Sequence, residues 1–169
     1  MSRAFVKEDS EALTGEELPE RPVSSEPNYV TAPGFESLRA KVGELHAEQV
    51  QLKRAAEDFD RPRLTQVERD LRYFQAKLES AIPVDLAAQP RDEVRFGASV
   101  KAEDENGATH TFTIVGEDEA DVVHGKVSWQ SPLATALMGA RVGDSVTWHR
   151  PAGATMLEVL EIRYPDRRD

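Results

Sequence analysis

Two runs of apolar residues at alternating steps of four and three constrain this chain more than any other feature. Leu38, Val42, Leu45, Gln49, Leu52, Ala56 and Phe59 form the first; Leu64, Val67, Leu71, Phe74, Leu78 and Ala81 form the second. A spacing near 3.5 residues keeps one stripe on one side of an α-helix, so each run predicts a helix with a coiled-coil seam. Between them Asp58-Phe59-Asp60-Arg61-Pro62-Arg63 makes a short, charged, proline-bearing turn. So short a connection returns the chain antiparallel, which predicts a helical hairpin over residues 34–83. Thr31 with Pro33 just inside suits the hairpin's start, and Pro83 stops its second helix. The first arm comes to roughly 24 residues, or about 36 Å at 1.5 Å per residue. Nine acids and nine bases lie between Phe35 and Ile82, so its surface carries no net charge. Two helices alone bury little surface, and the hairpin needs a base to stand on.

Residues 90–165 supply that base. Short stretches rich in β-branched and aromatic residues alternate there with turn chemistry. Arg95–Val100 leads to Asp104-Glu105-Asn106-Gly107, whose Asn-Gly pair signals a hairpin into a strand over Thr109–Val115. A further strand is expected within Val122–Trp129, then a short helix from Ser131 to a stop at Gly139. Strands over Ser145–His149 and Met156–Arg163 complete a twisted, mostly antiparallel sheet of about five strands, an α+β domain. His110 is read as lying opposite Phe112, towards solvent, and Trp129 and Trp148 as packing residues.

The first 33 residues differ in kind. They hold four prolines and seven acids against three bases, and the low hydrophobicity predicts a mostly disordered acidic tail. The whole chain carries a formal charge of −10, which disfavours a general attraction for nucleic acid phosphates. There is no cysteine, so disulfides, thiolate metal sites and thiol nucleophiles are excluded. No apolar run approaches the ~18 residues of a membrane span, and acids interrupt the N-terminus before an apolar leader forms, so a cytoplasmic address is expected.

The sequence carries no nucleophile elbow, phosphate-cradling glycine loop or metalloprotease helix. Ser131 reads as a helix cap, and Glu117-Asp118-Glu119 with Asp121 as a solvated acidic loop. At the hairpin tip, Glu57, Asp58 and Asp60 put three carboxylates within four residues, the type of ligand that Mg²⁺ prefers. Turn acids more often satisfy local backbone groups, and Arg61 and Arg63 stand beside these three.

Several ordered fragments together resemble the bacterial GreA/GreB transcript-cleavage factors. They are Phe96–Val100, Thr113–Asp121, Ser131–Gly139, Gly143–Val146 and Pro151–Gly153, with Thr31, Gly34 and Leu38 matching the family's opening Thr-x-x-Gly-x-x-x-Leu. The resemblance spans about residues 28–165. It implies an FKBP-like C-terminal domain docked at the rim of the RNA polymerase secondary channel, with the coil pointing towards the catalytic Mg²⁺. It also implies polymerase contact through Gln130, Ser131, Pro132 and Leu133. The family's Gly-Asp-x-x-Glu-Asn-Ala tip segment is missing, and the hairpin is several turns shorter. Gly139–Trp148 looks like the short-coil subgroup typified by the regulator of nucleoside diphosphate kinase. The expectation is therefore a monomeric, non-enzymatic elongation regulator that binds RNA polymerase, with no cofactor of its own beyond Mg²⁺ shared with the polymerase active site. Two alternatives stay open: a transcript-cleavage stimulating factor that holds Mg²⁺ through the tip acids, and an FKBP-like prolyl isomerase.

Overall fold

The computed structural model describes residues 18–55 and 60–166. Its first helix, α1, runs over Ala32–Arg54 and its second, α2, over Arg61–Ser80. Both start on a side-chain cap. Thr31 Oγ1 accepts the Gly34 N–H at 3.1 Å, and Asp60 Oδ1 accepts the Arg63 N–H at 2.9 Å. A proline sits in each first turn, where a missing N–H costs no intrahelical bond. The arms are antiparallel: Glu48 meets Arg63 and Gln49 meets Glu68, with Leu45, Val67 and Leu71 buried between them. Val42, Leu52 and Phe74 flank this seam half-buried, as the heptad spacing predicts.

At the foot of the hairpin the pattern changes. Leu78 is half-buried, whereas the preceding Lys77 is 2% exposed. The reason is that the foot packs on the second domain rather than on the opposite arm. Strand β1 (Asn28–Val30) pairs in parallel with β2 (Ala81–Pro83), joining the chain entering the hairpin to the chain leaving it. Of the acidic tail expected over residues 1–33, residues 1–17 lie outside the described residues, whereas Glu20 and Arg21 contact α2 and Asn28–Val30 forms β1. Their partners lie about fifty residues away, out of reach of any local reading.

The second domain is a curled sheet in the order β5-β4-β3-β7-β6. Its strands are β3 (Ser99–Asp104), β4 (Thr109–Val115), β5 (Lys126–Ser128), β6 (Ser145–Trp148) and β7 (Thr155–Arg163). All neighbours are antiparallel except β4 and β5, which run parallel. Helix α3 (Pro132–Leu137) closes the core, burying Leu133, Ala134 and Leu137 against Val100, Ile114, Leu157 and Val159. The domain is α+β, as the strand and turn pattern predicts.

Three local expectations shift. The strand placed at Arg95–Val100 begins only at Ser99, because Ala98 N–H turns back to the Arg95 carbonyl and Gly97 adopts φ +86°. The stretch from Val122 opens as a 3₁₀ turn over Val122–His124, and extended structure resumes at Lys126 after Gly125. His110 lies two residues from Phe112 and hence on the same face of β4; the rings stack at 5.8 Å, and His110 Nε2 meets Asp104 Oδ2 at 2.8 Å. That carboxylate carries a depressed pKa, chiefly through the His110 contact.

Candidate functional site

The loop entering α3 is built to present residues rather than to bury them. Trp129 N–H donates to the Val115 carbonyl at 2.9 Å and Ser131 N–H to the Ser128 carbonyl at 2.9 Å, which fixes the loop to the sheet edge. Ser131 then caps α3 by accepting the Ala134 N–H on Oγ at 3.2 Å. Gln130 and Pro132 stand exposed on this rigid mount, and Ser131 is half-buried between them. Leu133 differs: at 5% exposed it belongs to the core, so it holds the loop in place and offers no surface to a partner. The helical period is the reason, since Leu133, Ala134 and Leu137 share the inward face of α3.

Beside this loop is an open, mostly apolar cleft of about 240 Å³, lined by Tyr29, Val84, Phe96, Trp129 and Met138 together with Arg95 and Gln89. Tyr29 comes from β1 and meets Trp129 edge-on at 5.1 Å and Phe96 at 6.1 Å. One wall of the cleft is therefore the root of the hairpin.

At the hairpin tip, Glu57 and Asp58 lie outside the described residues. Asp60 is exposed and uses Oδ1 as the cap of α2. Close to the tip, ion pairs tie the arms together, Arg63 to Glu48 at 2.6 Å and Lys53 to Glu68 at 2.9 Å. Among the described residues, no group of three or more His, Cys, Asp or Glu could hold a metal ion. Asp60 by itself offers too few oxygen ligands for Mg²⁺.

The acidic run Glu117–Glu119, read from sequence as a solvated loop, is instead the clamp between the two domains. It forms a single 3₁₀ turn whose first two acids bracket the buried Lys77 ammonium, Glu117 at 3.0 Å and Asp118 at 3.2 Å. Asp118 also accepts the Tyr73 hydroxyl at 2.7 Å. Glu119 reaches the other arm: it accepts the Thr31 N–H at 3.1 Å, the Thr31 hydroxyl and the Gly116 N–H at 3.0 Å. A Cβ on Gly34 would fall 2.1 Å from the Glu119 carboxyl carbon, so any larger residue there would push the carboxylate out of its bonds to Thr31. The readable signals were a lysine beside the seam and the Thr-x-x-Gly opening, but their common partner was not.

Residues 89–164 match the family model described as transcription elongation factor GreA/GreB, C-terminal domain. The chain is 35% identical over 153 residues to transcription elongation factor GreB of Neisseria meningitidis serogroup B, covering 81% of this chain and 94% of that protein. It belongs to the GreA/GreB family. It is also similar to transcription elongation factor GreA of Nitratidesulfovibrio vulgaris, 32% identical over 150 residues and covering 80% of this chain and 92% of that one. A solved GreA/GreB factor from Nitrosomonas europaea aligns over 81% of this chain and 99% of its own at 22% identity, with a TM-score of 0.41. In this GreA/GreB-family chain, no helix among the described residues is long and apolar enough to cross a membrane.

Proposed function

We propose that this GreA/GreB-family chain is an elongation regulator that binds RNA polymerase at the rim of its secondary channel, with the hairpin directed inward and without strong transcript-cleavage activity. The observation that carries this reading is the α3 entry loop, where Gln130 and Pro132 are exposed on a backbone fixed by hydrogen bonds to Val115, Ser128 and Ser131. A preorganised loop loses little conformational freedom on docking. The names of its relatives, transcription elongation factors GreA and GreB, support the polymerase as partner. The weak-cleavage part rests on the tip, where Asp60 is committed to capping α2 and Arg63 to Glu48. Metal-assisted hydrolysis needs ligands fixed to a fraction of an ångström, and a capping carboxylate is oriented by its helix rather than by a metal. In this reading the chain brings no metal of its own and acts as a monomer in the cytoplasm.

The test is equilibrium binding of the purified chain to core RNA polymerase. Wild type should bind at micromolar concentration or tighter, and Pro132→Asp should weaken binding at least about tenfold, roughly 1.4 kcal/mol. An acid at the first position of α3 suits the helix N-terminus, so the variant keeps its fold. Absence of wild-type binding refutes the reading. On the same preparation, accelerated cleavage of transcript in a backtracked complex, lost on Asp58→Ala with Asp60→Ala, would establish the cleavage-factor alternative instead.

A further inference from the structure

Residues 18–23 lie along the hairpin without forming part of either helix. The Arg21 guanidinium sits 3.9 Å from the Tyr73 ring centroid and 5.1 Å from that of Phe74, and donates to Asp70 Oδ1 at 3.3 Å. Glu20, one residue earlier, accepts from both Nε and Nη2 of Arg72. Downstream, β1 pairs at the hairpin's foot, so the segment climbs one side of α2 from the foot as far as Asp70. Asp70 is nine residues beyond Arg61, so about 14 Å of α2 towards the tip, at 1.5 Å per residue, extends past these contacts. Below that point the two-helix rod is thickened by a third chain.

The contacts holding this segment are weak ones. The Glu20–Arg72 pair is more than half exposed at both side chains, and exposed ion pairs add little to stability. Two cation–π contacts from the one arginine, and one Arg–Asp pair with side chains 36% and 25% exposed, stand against the entropy of ordering six residues. Such a balance lets the segment close and open readily. The face beneath it has a definite chemistry: an arginine that takes a carboxylate, next to two aromatic rings and an aspartate that take a cation. An extended polypeptide with adjacent acid and base satisfies all of these, whereas a nucleic acid strand would satisfy Arg72 and be repelled by Asp70.

We propose that Leu18–Val23 is an intramolecular collar that occupies the Arg72–Tyr73–Phe74 face and limits how far the hairpin enters its protein partner. The proposal rests on the polymerase-docking reading above. Release of the collar bares the lower half of α2, and the surface that replaces it is a polypeptide wall of the polymerase.

Binding of the full chain to core RNA polymerase tests this in three forms. Glu20→Ala with Arg21→Ala frees the collar and should tighten binding at least about fivefold. Glu20→Cys with Arg72→Cys, joined by a short bis-maleimide, locks it; the native chain has no cysteine, so the bridge is unique. The locked form should bind at least about fivefold more weakly than the same variant left unbridged. Equal affinities across forms that all bind overturn the collar and leave docking intact. So does a freed form that gains affinity for a single-stranded RNA oligomer while its polymerase affinity is unchanged. If no form binds polymerase, the docking reading falls and the collar with it.

Discussion

Tyr73 shows how much a single side chain carries at the hairpin foot. Arg21 lies on one face of its ring, Phe74 meets it edge-on at 5.1 Å, and its hydroxyl donates to Asp118 across the domain boundary. Burial, and then the hydrogen bond to the charged Asp118, raise its pKa well above the ordinary phenol value. In the unfolded chain the phenol loses its proton near pH ~10, while the folded chain keeps it. Above that pH the unfolded state binds fewer protons, so stability falls as pH rises. Tyr164 is raised by burial as well and contributes in the same direction. Between about pH 9 and pH 11 the wild-type denaturation midpoint should therefore drop more steeply than that of Tyr73→Phe, which lacks one of the two phenols whose pKa folding raises. Identical slopes in urea titrations across that range would show that Tyr73 is not held as described.

Among the elements, the hairpin was the most legible and its surroundings the least. Heptad spacing located Leu38, Leu45, Val67 and Leu71, all of which are buried, because an apolar stripe on a helix is a local property of the chain. The Thr31 and Asp60 caps follow the same logic, each acting three residues along its own helix. In the second domain, Asn106-Gly107 marked the β3–β4 turn, where Gly107 adopts φ +78°. The Gln130-Ser131-Pro132 loop was readable because a serine cap followed by proline is a helix-start signal, but the inward turn of Leu133 required the packing of α3. The Lys77 clamp, the collar on α2 and the β1–β2 pairing are all contacts between segments forty or more residues apart, which no local pattern encodes. The hairpin should then yield to mutation as a unit. Leu71→Ala empties a position 5% exposed in the three-residue seam and should cost about 2–4 kcal/mol in chemical denaturation. Amide exchange should show the loss confined to α1 and α2, with β3, β4 and β7 still protected. Uniform loss of protection would mean that the seam and the sheet unfold together.

For the molecule as a whole, the direction of the rod depends on few atoms. Lys77 ties α2 to the acidic turn, and Glu119 ties the start of α1 to the same turn. Both arms are thus referred to one short piece of the sheet domain, Glu117–Glu119. Replacing Glu119 with Gln keeps its size but removes an acceptor oxygen and the charge that strengthens its bonds to Thr31 and Gly116. Spin labels on Ala47→Cys and Lys101→Cys, the only thiols in such a variant, should report a broader interdomain distance distribution in Glu119→Gln than in wild type. An unchanged distribution would assign the alignment to Lys77 and the β1–β2 pairing instead.

The position of Glu119 at the very root of α1 has a mechanical corollary. An arm of 23 residues is about 34 Å long, so an angular play of about 5° at its fulcrum sweeps the far end through roughly 3 Å. Three hydrogen bonds to one carboxylate, together with a glycine that leaves room for them, therefore set the aim of a lever whose working end lies farthest from them.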